Sequence, residues 1–107
     1  MNNFTGLSEK SANEIETLLI QYLKSKVDYE IWVFGSRAKD TYKKYSDIDL
    51  WIDSQPALDL KEISDLHALF EDSGLAITVD IITPNTCLPE YKNQILSERK
   101  KWISKKQ

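Results

Sequence analysis

Asp47 and Asp49 stand two residues apart at the head of an apolar run, and ten positions separate them from the pair Gly35-Ser36. Side chains alternate on a strand, so the two carboxylates project from one face while Ile48 and Leu50 point to the other. Like charges held that close repel. A divalent cation relieves the repulsion, and a hard cation such as magnesium takes carboxylate oxygens together with substrate phosphates. The run Tyr29 to Phe34, β-branched and aromatic, stops at Gly35 and so puts a small-residue turn at the carboxyl end of a buried strand. Backbone amides of such a turn can face a phosphate. This spacing would arise by chance about once in a thousand chains of this size. The segment therefore reads as a metal-dependent phosphoryl-transfer site, against the blander alternative of an ordinary turn followed by a solvated strand.

Positioning these groups takes a small set of elements. Ser11-Ala12-Asn13-Glu14 has the form of a capping box, and Ile15, Leu18, Leu19, Tyr22 and Leu23 recur at helical spacing, which predicts a helix from Ser8 to Lys26. A strand from Tyr29 to Phe34 follows, and then a short helix from Ser36 to Lys39 whose first amides add to anion binding. Asp47 to Asp53 is the next strand. Leu60, Ile63, Leu66, Leu69 and Phe70 mark a helix ended by Ser73-Gly74, and Leu75 to Thr83 reads as a third strand carrying Asp80. A last helix is expected from Glu90 to Ser104. The order implies an α+β domain, a small mixed sheet with helices packed against it.

Composition narrows the rest. With 107 residues and 41% hydrophobic content the expectation is one domain over residues 1–107. A net charge of −3 argues against a general nucleic-acid binder, which is usually strongly basic. The cations cluster nonetheless. Arg37, Lys39, Lys43 and Lys44 lie in the loop segment, either facing a triphosphate or simply solvated, and Arg99, Lys100, Lys101, Lys105 and Lys106 crowd a stretch where they would suit the negative end of a helix. Cys87 is the only cysteine, which excludes an intramolecular disulfide and fits a reducing cytoplasm. The N-terminal stretch from Met1 to Leu7 does not read as a secretion signal, and no run is long enough for a membrane span.

Taken together, Gly35-Ser36, Asp47-x-Asp49 and Asp80 resemble the minimal nucleotidyltransferase (MNT) branch of the DNA polymerase β-like superfamily, over about Tyr29 to Thr83. The resemblance implies that fold, and it implies a nucleotidyltransferase. Asp47, Asp49 and Asp80 would be the catalytic, metal-binding acids, holding two magnesium ions. Gly35, Ser36 and Arg37 would bind the phosphates of ATP. The acceptor would be bound by another chain, often a helical HEPN-domain toxin whose tyrosine receives AMP, making this protein the antitoxin. Two alternatives stand beside that one: transfer to a small hydroxyl compound, as in aminoglycoside nucleotidyltransferases, with an oligomer supplying the pocket, or silencing of the partner by contact alone. Asp40 departs from the glycine many members carry there. Asp53 and His67 read as solvated or boundary residues, Trp32 and Trp51 as core, with stacking of Trp51 on a base as the alternative. Tyr42 and Tyr45 read as loop aromatics or as contacts to nucleotide or partner.

Overall fold

The computed structural model describes residues 4–106; residues 1–3, which open the stretch read for a secretion signal, and residue 107 lie outside the described residues. Helix α1 (Glu9–Leu23) presents Ala12, Ile15, Leu19 and Leu23 inward. Its cap is Ser8, whose hydroxyl accepts from the Ser11 amide at 3.1 Å, one turn ahead of the box expected at Ser11 to Glu14. The reciprocal box belongs to α3 (Leu60–Asp72). There Asp59 accepts from the Glu62 amide at 2.7 Å and Glu62 accepts from the Asp59 amide at 3.1 Å, closing both orphan donors.

Among the described residues four strands, β1 (Asp28–Phe34), β2 (Ile48–Gln55), β3 (Val79–Ile82) and β4 (Lys100–Lys105), form one mixed sheet in the order β3-β2-β1-β4. β1 runs antiparallel to β2, and β3 joins β2 in parallel. Between β1 and β2 lies the four-residue helix α2 (Ser36–Lys39). Strand alternation sorts the sheet into two faces. Tyr29, Ile31, Val33, Ile48, Leu50, Ile52, Val79 and Ile81 meet Ile15, Leu19, Leu23, Leu66 and Phe70 of α1 and α3 in the apolar core. Glu30, Trp32, Phe34, Asp49, Trp51, Asp80 and Ile82 occupy the other face by the same alternation.

The C-terminal region differs from expectation. The last helix, α4 (Pro89–Glu98), stops at Arg99, whose extended backbone (φ −67, ψ 149) starts β4 (Lys100–Lys105). β4 pairs antiparallel with β1, with Ile103 opposite Ile31 and Lys101 opposite Trp32, so Trp102 is the extra residue of a bulge. Glu30 supplies part of the reason. Its carboxylate meets Lys101 at 3.0 Å and Lys106 at 3.1 Å, and these two hydrogen-bonding ammonium groups hold its pKa below the usual carboxylate value. Lys105 does serve a helix end, though not its own. Its ammonium donates to the carbonyls of Lys24 and Lys26, each at 3.0 Å, at the C-terminus of α1. The third strand is also shorter than expected, since residues 75–78 are irregular and only Val79–Ile82 pair. No helix among the described residues is long and apolar enough to cross a membrane.

Candidate active site

Gly35 ends β1 with φ +71 and ψ −151, a left-handed backbone that favours glycine. A Cβ there would run into Oδ2 of Asp49, so the turn and the acid touch without a side chain between them. The Gly35 carbonyl accepts from the Ala38 and Lys39 amides at 3.1 and 3.2 Å. Ser36 and Arg37 thereby hold first-turn positions, whose amides have no partner inside a helix. Asp40 closes α2 in the left-handed conformation (φ 62), its amide bonded to the Ser36 carbonyl. A glycine would take that backbone without strain, which explains why the residue type matters here; aspartate tolerates it.

Strand register brings the acids together. Asp49 lies opposite Phe34 on one side and opposite Asp80 on the other. Asp47 precedes β2 and is exposed, two residues before Asp49 on the same alternation. Burial, the charges of Asp80 and Asp47, and a hydrogen bond with Asp80 push the Asp49 carboxyl up to about 6. A bound cation would offset the repulsion from Asp80 and Asp47. Among the described residues no group of three His, Cys, Asp or Glu side chains forms a cage able to hold a metal ion by itself. Magnesium does not need one, because it commonly takes one or two carboxylates and completes its shell with water and substrate phosphates. The Asp49–Asp80 pair of like charges, with Asp49 against the Gly35 turn, therefore fits an ion that arrives with a triphosphate.

The side chain of Arg37 takes a different role from the phosphate contact expected of it. It is 1% exposed, and its guanidinium donates to the carbonyls of Ser46 (3.1 Å from Nε, 2.9 Å from Nη2), Thr5 (2.9 Å) and Lys44 (3.3 Å). Tyr42 stacks 4.9 Å from it and also covers Gly6, which makes Tyr42 a packing residue. Burial lowers the Arg37 pKa, with Tyr42 and Asp47 opposing the shift. Arg37 thus anchors the loop that delivers Asp47, and only its backbone amide is directed by the turn. Lys43, Lys44 and Tyr45 are exposed, Tyr45 lying 5.3 Å from the Lys44 ammonium.

Other residues fall where the sequence placed them. Asp53 is exposed at the far end of β2. His67 lies on α3, beside the loop at residues 75–79, across the sheet from the acids. Trp51 is 2% exposed and lies under the Arg99 guanidinium at 5.8 Å, while Trp32 lies under it at 3.9 Å; both indoles are covered, so Trp51 offers no free face to a base. Sequence reasoning missed the contribution of α4. Lys39 of α2 reaches Glu98 at 3.6 Å, and a cavity of about 580 Å³ separates α4 from Phe34, Gly35 and Ile82. Nothing local marks Glu98 as a site residue, because the sheet alone brings it to the phosphate turn.

Comparison with known proteins agrees with this geometry. The model of the nucleotidyltransferase domain family matches residues 17–103. The chain is 34% identical over 113 residues to the probable protein adenylyltransferase MntA of Haemophilus influenzae, covering 98% of this chain and 96% of that protein. It is 33% identical over 93 residues to a putative protein adenylyltransferase of Methanocaldococcus jannaschii, covering 83% of this chain and 94% of that one. A solved structure of a tri-AMPylated Shewanella oneidensis HEPN toxin in complex with MNT antitoxin shares the fold at TM-score 0.64 and 21% identity, over 88% of this chain and 71% of the other. A toxin–antitoxin crystal structure with AMP-PNP matches at TM-score 0.64 and 23% identity, over 81% and 72%. With the Gly35-Ser36 turn and all three acids inside the matched region, the chain belongs to the nucleotidyltransferase domain family.

Proposed function

We infer that this protein transfers AMP from ATP to a tyrosine hydroxyl of a helical HEPN-domain partner in the cytoplasm and thereby silences a toxin. The observation that carries the reading is the Asp49–Asp80 pair lodged against the Gly35 turn, one acid's carboxyl held near pKa 6 by burial and its neighbours. Support for the substrate comes from the relatives named as protein adenylyltransferases and from fold neighbours solved as toxin–antitoxin complexes. Asp47 and Asp49 would hold magnesium brought by the triphosphate and Asp80, with Asp49, a second ion, the metal supplying charge neutralisation to the phosphates.

The chain's own residues do the remaining work. Amides of Ser36 and Arg37, with the Ser36 hydroxyl, hold the β- and γ-phosphates and so aim the α-phosphorus at the acid row. Asp80 accepts the proton of the acceptor hydroxyl. The hydroxyl oxygen then bonds to the α-phosphorus, the bond from that phosphorus to the bridging oxygen breaks, and pyrophosphate leaves with the electron pair. Arg37, locked on three carbonyls, keeps Asp47 in place throughout.

Incubating the protein with magnesium, ATP labelled on the α-phosphate and its co-expressed partner tests this reading. Label should appear on a partner tyrosine and vanish with Asp47→Asn/Asp49→Asn. Silencing that survives the double substitution without label would replace the reading with neutralisation by contact. Label confined to a small hydroxyl compound would redirect it to aminoglycoside-type transfer.

A further inference from the structure

We propose that the cavity between α4 and the phosphate turn seats the nucleoside of the donor nucleotide, with Tyr91 stacking on the base and Gln94 reading its edge. This rests on the donor being a nucleoside triphosphate, as inferred above. The cavity, about 580 Å³, is of the size that takes a small ligand, and it is continuous with Gly35 and Lys39. Whatever is attached to phosphates held at that turn enters it.

Its walls suit a flat, largely apolar body. Phe34 and Ile82 form the sheet side, next to the strand positions of Asp49 and Asp80. Leu88 and Tyr91 form the α4 side and stand 56% and 55% exposed, large apolar surfaces that the described residues leave uncovered. The phenol ring offers a π-face to any base. Gln94, one turn further along α4, also lines the cavity. Its amide nitrogen donates to Glu98 at 3.5 Å, which leaves a carbonyl oxygen and a second N–H for a ligand. A carboxamide matches the amino-plus-ring-nitrogen edge of adenine in a bidentate pair and mismatches the N7/O6 edge of guanine, and the two-ring purine covers more of the phenol than cytosine does, so the expected base is adenine. Lys39, bridged to Glu98 at the cavity mouth, supplies the cation for the phosphate end.

Equilibrium binding to the protein with magnesium tests the assignment, with ATP, GTP, CTP and inorganic tripolyphosphate as probes. Wild type should bind ATP more tightly than tripolyphosphate. Tyr91→Ala should weaken ATP about tenfold and leave tripolyphosphate unchanged. Gln94→Ala should reduce the preference for ATP over GTP by about tenfold. Both side chains are exposed, and an unchanged unfolding midpoint shows that the variants fold. Equal ATP affinity in wild type and Tyr91→Ala overturns the proposal. So does a Tyr91→Ala effect seen only as a raised KM for the partner, which would place the acceptor in the cavity. Failure of the nucleotidyl-transfer reading looks different: wild type would then bind neither ATP nor tripolyphosphate, and the cavity assignment would fall with it.

Discussion

Two charged groups, Arg37 and Asp49, are drawn out of water a few residues from each other's loops, and the chain treats them in opposite ways. Arg37 is enclosed by carbonyls of Thr5, Lys44 and Ser46, with Tyr42 against its plane. Asp49 is partly buried and meets an acid on the next strand and a second acid two residues before it, and burial together with those two charges puts its carboxyl near pKa 6. Buried charges that serve only the fold are matched from inside the molecule, because an unmatched one is costly. The mismatch at Asp49 is therefore the mark of a group whose partner comes from outside. Charge balance, more than burial, separates the scaffold from the working site.

Substitutions at the two positions should break this contrast. The largest effect is expected from Asp49→Asn, which should lower nucleotidyl transfer by about a thousandfold or more, since it removes the carboxylate proposed to hold the metal in a transition state whose stabilisation is mainly electrostatic. A single-turnover assay with labelled ATP measures it. Arg37→Met should cost about 3 kcal/mol of stability, because it strands three carbonyls and opens the loop packing. Urea unfolding at neutral pH gives the value, and a loss under about 0.5 kcal/mol would place the loop's anchor elsewhere.

The third test reverses the usual sign. Asp49 has a folded pKa raised above the unfolded value, so the native state binds more protons than the unfolded chain between about 4 and 6. Stability of the metal-free protein should fall as pH rises through that window. Asp49→Asn should thus be more stable than wild type at pH 7, by about 1 kcal/mol after allowing for solvent screening, and the gain should disappear near pH 4. Thermal melts at the two pH values check it. The smallest effect is at the loop's end, where Asp40→Gly should add about 0.5 kcal/mol by relieving a left-handed residue, again by urea unfolding. If it also changes ATP affinity by severalfold, the carboxylate acts on the phosphates as well as on the backbone.

The contrast also explains what could be read from sequence. Gly35, Ser36, Asp47 and Asp49 lie in one stretch whose strand alternation and turn chemistry are local, and Asp80 stands out as an acid between Val79 and Ile81. The elements around them, α1, α3 and the first three strands, follow from periodicity for the same reason. Arg37 belongs to the turn by sequence position, but its guanidinium faces the carbonyls of Thr5, Lys44 and Ser46. Which way its guanidinium points depends on the return of Thr5 and Ser46, which no spacing reveals. β4 was missed because Lys100 to Lys105 looks like a charged helix end when taken alone. Its cations are explained only by Glu30 and by the α1 carbonyls, distant in sequence and adjacent in space. The α4 wall of the cavity went unseen on the same grounds.

The strand that was hardest to foresee has a consequence for how the molecule comes into being. β1, which ends at the Gly35 turn, is flanked by β2 and by β4, and β4 is the last of the described elements in sequence order. During synthesis, then, the strand leading into Gly35 waits with one row of amides unpaired until residues 100–105 emerge. A nascent chain can assemble the acid row early and still lack the lateral support of its turn. Lateral support for the turn thus waits on residues 100–105, and a chain cut before them would hold a sheet with its central strand left as an edge.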